Sequence, residues 1–224
     1  DLLRHAEHLA AAQDDAAAPA FLAAAREAEA AHRKEVALGL AERGLALAAQ
    51  DPVRGALLCL KGDMLRDLGR APEAIAAFEA ARAVAVSPGD QCRALIGVIA
   101  AMRIVDRIDD AFAMLDEAEA IAVGADLVLE LSEIHYFRGS LHFPRGQIDS
   151  CLREHALSLD YAERAGDPRR RALASSGLGD AHYARGRMFT AHTVIEQCLA
   201  LCEEHRLGAV EAANRFMLAT VKIY

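Results

Sequence analysis

A chain of 224 residues, 54% hydrophobic and 26% charged, has ample apolar material for a large core, and its net charge is −8. Acidic and basic residues are interspersed and the balance is acidic, which excludes the basic face that nucleic-acid binding requires. No uncharged run of ~18 apolar residues offers a membrane span, and the alanine excess, the absence of tryptophan and 5% aromatics favour helix over sheet.

Residues 1–12 read as a short helix ending before Gln13-Asp14-Asp15. A second helix runs from about Ala17 to Ala31 and a third from about Glu35 to Ala49, with the break at His32-Arg33-Lys34. No Gly or Pro enforces that break, so one long bent helix over 17–49 is the alternative. Asp51-Pro52 and Asp167-Pro168 each read as an N-cap followed by proline at the first helical position, and Asp90 after Ser87-Pro88-Gly89 reads as a third capping Asp. Between these signals the expected helices cover roughly 53–68, 72–86, 91–105, 109–122, 127–143, 148–165, 168–184, 188–205 and 209–223.

The segment from Lys61 to Ala81 organises the rest. It reads as the end of one helix, a turn at Gly69-Arg70, and a second helix opened by Pro72 that packs back on the first. Gly62 and Ala74 are the small residues that let the two axes approach, Gly69 supplies a left-handed helix end, and Phe78 with Ala81 supplies the returning apolar face. The paired glycines return as Gly139 and Gly146 and again as Gly179 and Gly186, 40 residues apart in the last two copies. Cys151 and His155 then stand where Ala74 and Phe78 stood, and Ala191, Ile195 and Cys198 continue the fourth copy. A second copy keeps Ala111, Leu115 and Ala118 but has Ile99 and Asp106 where glycines are expected, predicting a wider crossing. Self-similarity at such a period means a solenoid.

With that pattern of a small residue, a glycine, then Ala, Phe-like and Ala on the second helix, residues 53–224 resemble the tetratricopeptide repeat family. The period exceeds the ~34 residues usual there, and HEAT or armadillo arrays, nearer in period, lack the paired glycines. The resemblance implies an all-α, right-handed superhelical solenoid of antiparallel helix pairs. Two regions are expected: irregular N-terminal helices over 1–50 packing on the array, and about four repeats over 51–224. The last repeat is expected to be truncated, since Leu218-Ala219 lies 40 residues after Leu178-Gly179 and no partner helix follows. Phe216, Met217, Val221 and Ile223 are not a polar capping element, so more chain or a second subunit is expected to cover that edge. Residues 1–50 also resemble the entry to helical repeats of large bacterial signalling ATPases, in which an ATPase module and a cyclase or DNA-binding output domain lie elsewhere.

The family's inner, concave face is built by the first helix of each pair and implies a protein or peptide ligand there. Tyr136 and Phe143 share a helical face, Tyr183 takes the place of Phe143 one repeat on, and Glu133, Ser140 and Asp180 lie nearby. Stacked repeats are expected to set these aromatics side by side, the alternative being that they fill the seam between repeats. Asp63, Arg66, Asp67 and Arg70 on the corresponding face of the first copy read as solvated charges, as do Arg169-Arg170-Arg171. Where some family members clamp a peptide carboxylate, this chain has Cys59, Tyr136, Ser176, Asp63, Ser140 and Asp180, and the acids argue against that ligand.

No catalytic set emerges. Gly177-Leu178-Gly179 lies within a helix with no strand before it, and no phosphate-binding loop or nucleophile elbow occurs. The pairs His5/His8 and Cys198/Cys202 lack the further ligands a metal needs, so neither metal nor cofactor is expected. Five cysteines, an odd number within helices, suit reduced core thiols in a cytoplasm, and nothing resembles a signal peptide. The resulting expectation is a non-catalytic interaction module of a larger bacterial regulatory protein, with a homodimer through the C-terminal edge or a fragment of a cyclase or ATPase as alternatives.

Overall fold

A computed structural model describes residues 1–48 and 51–222, without the side chains of Asp51 and Pro52. The expected Asp51-Pro52 cap and the edge residue Ile223 therefore lie outside the described residues. Among the described residues there is no strand, and twelve helices follow one another: α1 Leu2–Ala11, α2 Ala17–Ala30, α3 Lys34–Leu47, α4 Asp51–Asp67, α5 Ala71–Ala83, α6 Pro88–Ile104, α7 Ile108–Gly124, α8 Val128–His142, α9 Ile148–Ala165, α10 Pro168–Ala184, α11 Met188–His205 and α12 Gly208–Val221. The chain divides within α7 into two compact units, Asp1–Ile121 and Ala122–Tyr224.

Helix ends follow one local rule. Gly69, Gly146, Gly166 and Gly186 adopt positive φ, and so do Gln13, His32, Asp106, Asp126 and Arg206. In each case the next amide donates back five residues, as in Arg70 N to Leu65 O at 2.8 Å and Arg33 N to Ala28 O at 2.9 Å, closing a Schellman turn. The turn at His32, φ 57°, breaks α2 from α3 and excludes the single bent helix. The α5–α6 junction is different: Ser87 is the N-cap and Asp90 the third helical residue, each bonding the other's backbone in a capping box. Asp90 is thus the partner of the cap, not the cap. Asp167 does cap α10, accepting from Arg170 N at 2.7 Å.

Within the first unit α2 packs against α3 and α4 against α5, and the first helices α2, α4 and α6 also touch one another in sequence. The pair α2/α3 belongs to this series. Ala25, His32, Ala37, Ala41 and Gly44 stand at the same offsets of 0, 7, 12, 16 and 19 as Gly62, Gly69, Ala74, Phe78 and Ala81. Ala25, Ala37 and Ala41 are fully buried, as are Ala74 and Phe78. In the second unit α8, α10 and α12 repeat the arrangement, with α9 and α11 returning between them.

The offset-16 side chain is the pivot of each pair. Phe78 lies so close to Gly62 that a Cβ there would sit 2.7 Å from its Cζ, and a Cβ on Gly97 would meet the same ring from the next first helix. His155 is held identically: a Cβ on Gly139 would be 2.9 Å from Cε1, and one on Gly177 would be 2.6 Å from Nδ1. Gly179 faces Ile195, at 2.7 Å from Cγ1. The α6 glycine that matters is therefore Gly97, two residues before the buried Ile99.

A second cross-link recurs at a spacing of 26 residues. Cys92 Sγ donates to Ala118 O at 3.5 Å and Cys198 Sγ to Ala172 O at 3.3 Å. At the same place Ser132 Oγ donates to Ser158 O at 2.9 Å while Ser158 Oγ donates to Ser132 O at 2.8 Å. Both serines are buried, so Ser158→Ala should cost about 1–2 kcal/mol by leaving a carbonyl short of a donor. Ser132→Cys/Ser158→Ala, which copies the Cys92/Ala118 solution, should recover most of that in urea unfolding.

Candidate interaction face

The first-helix face of the second unit carries the residues singled out from the sequence, and the fold treats them differently. Glu133 on α8 is 2.6 Å from Arg170 on α10, both side chains only 17% and 16% exposed, so it is spent on an internal ion pair. The arginine triplet is accordingly not uniformly solvated: Arg170 holds this pair, and Arg171 has a buried Nε with no hydrogen-bond partner. Tyr136 is half-buried, edge-on to Phe137 at 5.4 Å and tilted over His155 at 5.6 Å. Ser140 Oγ donates to the carbonyl of Tyr136 at 2.9 Å. Phe143, just past α8, is 41% exposed.

On α10, Tyr183 packs against the core cluster of Ala191, Ile195, Leu199 and Val221, with Met188, Met217 and Leu218 around it. It fills the seam with α11 and α12. Asp180, three residues earlier, is half-buried and has no hydrogen-bond or ion-pair partner among the described residues. Burial pushes its carboxyl up to about 6. At the α12 edge Phe216 is 75% exposed, while Asn214 is buried and donates to Ser176 Oγ at 3.1 Å.

In the first unit the corresponding face is more built than the sequence indicates. Asp63, 8% exposed, is gripped by Arg66 at 2.9 Å and by Arg93 from α6, so it is a buried, paired carboxylate and not a solvated charge. Arg66 also bonds Asp67, and Arg70 pairs with Glu73. Above Gly55 and Cys59 a hollow of about 370 Å³ opens between α2, α4, α5 and α6, rimmed by Arg26, Glu29 and Arg93. Gly55 and Ala81 stand where the other pairs carry Cys92, Ser132 with Ser158, or Cys198, and two side chains this small leave the space unfilled. Burial is the main influence raising the carboxyl of Glu29, and Asp63 adds to it.

A second buried polar cluster lies inside the α8/α9 pair. His135 Nδ1 is 2.8 Å from Glu154 Oε2, and the imidazole stacks on Tyr161 with centroids 5.4 Å apart. Among the described residues no group of three or more His, Cys, Asp or Glu side chains could hold a metal ion, and no helix is long and apolar enough to cross a membrane. All five cysteines are buried and free.

No family model matches this chain, and no curated protein matches it either. Solved structures do. A thermophilic tetratricopeptide-repeat protein from Thermus thermophilus superposes with a TM-score of 0.69 at 18% identity, over 93% of this chain and 100% of that one. The fold is that of tetratricopeptide-repeat structures. The aspartyl phosphate phosphatase F of Bacillus subtilis gives a TM-score of 0.65 at 16% identity over 93% of this chain, which spans 60% of that protein. A signal transduction ATPase with a tetratricopeptide-repeat sensor, from Pyrococcus horikoshii, gives 0.70 at 14% identity over 99% of this chain and 36% of that protein. At these identities the likeness is one of tetratricopeptide architecture.

Proposed function

We propose that this tetratricopeptide-like chain is a protein- or peptide-interaction module that receives its ligand on the first-helix face, as the repeat arm of a larger regulatory protein. The observation that carries the reading is Asp180, a carboxylate that the fold desolvates and leaves unpartnered. A lysine or arginine of a bound segment would restore its charge and lower the energy of both groups, while the exposed Phe143 supplies an apolar contact. The Pyrococcus signal transduction ATPase, which has a tetratricopeptide-repeat sensor and is matched over 36% of its length, supports a regulatory setting.

Selection of displayed peptides against the purified chain tests this. Recovered ligands should carry a basic residue, and Asp180→Asn or Phe143→Ala should each weaken them about tenfold or more with the helical content unchanged. Tyr183 is left intact because it packs against the core of Ala191, Ile195, Leu199 and Val221. Binding that is indifferent to both substitutions removes this face from consideration.

A further inference from the structure

The second unit has another cavity, of about 390 Å³, walled by α9, α10 and α11 and so formed partly by second helices. Its volume is in the range of small-molecule sites. Three charged groups line it. Arg171 from α10 has no ion pair among the described residues, and its Nε is buried without an acceptor. Glu163 from α9 and Glu204 from α11 line the same cavity yet neither comes within ion-pairing distance of Arg171; Glu204, largely exposed and 3.7 Å from His205 Nε2, stands at its rim. The neighbouring carboxylates are engaged elsewhere, Glu133 with Arg170 and Asp167 with the first-turn amide of α10, and neither pairs with Arg171.

One cation and two carboxylates around a single hollow select by sign. A phosphate would be drawn to Arg171 and repelled twice, and a diamine would meet the opposite conflict. A small zwitterion meets neither. We infer that this cavity binds a free α-amino acid with an aliphatic side chain. Its carboxylate is received by the Arg171 guanidinium and the Ser175 hydroxyl, its ammonium by Glu163 and Glu204, and its side chain lies against Leu159 and Leu201. The site is independent of the first-helix face.

Thermal unfolding of the full chain with L-leucine, N-acetyl-L-leucine, L-leucinamide and inorganic phosphate tests it. At ten times its dissociation constant, leucine should raise Tm by about 3–5 °C. The acetylated and amidated analogues and phosphate should raise it far less. Arg171→Gln should abolish the leucine response, and Glu163→Gln/Glu204→Gln should weaken it about tenfold by calorimetry, which serves as the deciding variant if Arg171→Gln does not fold. No leucine response, an equal response to the blocked analogues, or unchanged affinity in the glutamine variants overturns the assignment.

Discussion

Gly97→Ala is expected to destabilise the first unit by about 3 kcal/mol, an unusually large effect for adding one methyl group to a helix. On propensity alone the change should stabilise by up to ~1 kcal/mol, because alanine is the better helix former. The packing decides otherwise. The Phe78 ring is fully buried between Gly62 on α4 and Gly97 on α6, and a Cβ would lie only 2.7 Å from Cζ on the first side and closer still to Cδ1 on the second. A ring blocked on both faces cannot step aside, so the helices must separate. A double-mutant cycle makes this quantitative. Phe78→Ala alone should cost about 4 kcal/mol as a cavity. Adding Gly97→Ala to Phe78→Ala should cost nothing further or restore a little stability, giving a coupling of about 3 kcal/mol in urea unfolding. A Gly97→Ala cost below ~1 kcal/mol would show that the ring has room and that the crossing is not set by that glycine.

His155→Phe should convert an acid-sensitive second unit into one with a different pH profile. His155 occupies the place of Phe78 between its own two glycines, is 2% exposed, and its Nδ1 has no hydrogen-bond partner among the described residues. Burial lowers the imidazole from 6.5 to about 4, with nearby Glu154 opposing weakly. In the window between these values the unfolded chain takes up a proton that the folded chain refuses. Stability is therefore full above about 6.5 and falls as pH drops toward about 4, by about 3 kcal/mol in total. Asp180 works against this. Its carboxyl is raised from 3.8 to about 6, so the folded state holds the extra proton and stability falls as pH rises through that range. With His155→Phe the acid loss should shrink or reverse between pH 6 and 4, and with Asp180→Asn it should steepen. Urea midpoints at pH 7, 5.5 and 4 separate these outcomes, and parallel profiles for all three proteins would mean that neither group titrates within the fold.

The repeat was legible because its pattern is a matter of volume. A small residue at offset 12 and an apolar one at offset 16 recur whether the names are Ala and Phe, Cys and His, or Ala and Ile, and glycine at offset 7 marks the turn. Where chemistry substituted for volume, the sequence was harder to read. His32 adopts the left-handed conformation that Gly69 shows at the same offset, and Ala41 replaces Phe78, so α2/α3 does not look like a repeat although it packs as one. The packing roles of Gly97 and of Gly177, which reads in the sequence only as part of a Gly-x-Gly, were not legible because their partners come from the preceding pair, at a distance no single-helix pattern displays. The charged positions were least legible. Whether Asp63 is solvated or buried depends on Arg93, and whether Glu133 can meet a ligand depends on Arg170, and each partner sits on the next first helix at a spacing that the repeat does not fix. Tyr183 is the same kind of case: its helical face is evident, but the neighbours that cover it belong to α11 and α12.

The enclosed thiols give the chain built-in reporters of its own opening. Cys59 and Cys92 lie in the first unit, and Cys151, Cys198 and Cys202 in the second. Burial pushes Cys59 and Cys151 up to about 11 and Cys198 up to about 12, so at neutral pH these are protonated and inert until a helix pair separates. The rate at which each reacts with an alkylating probe thus measures how often its own neighbourhood comes apart, and mass spectrometry of the tagged peptides would time the two halves separately without any engineered label.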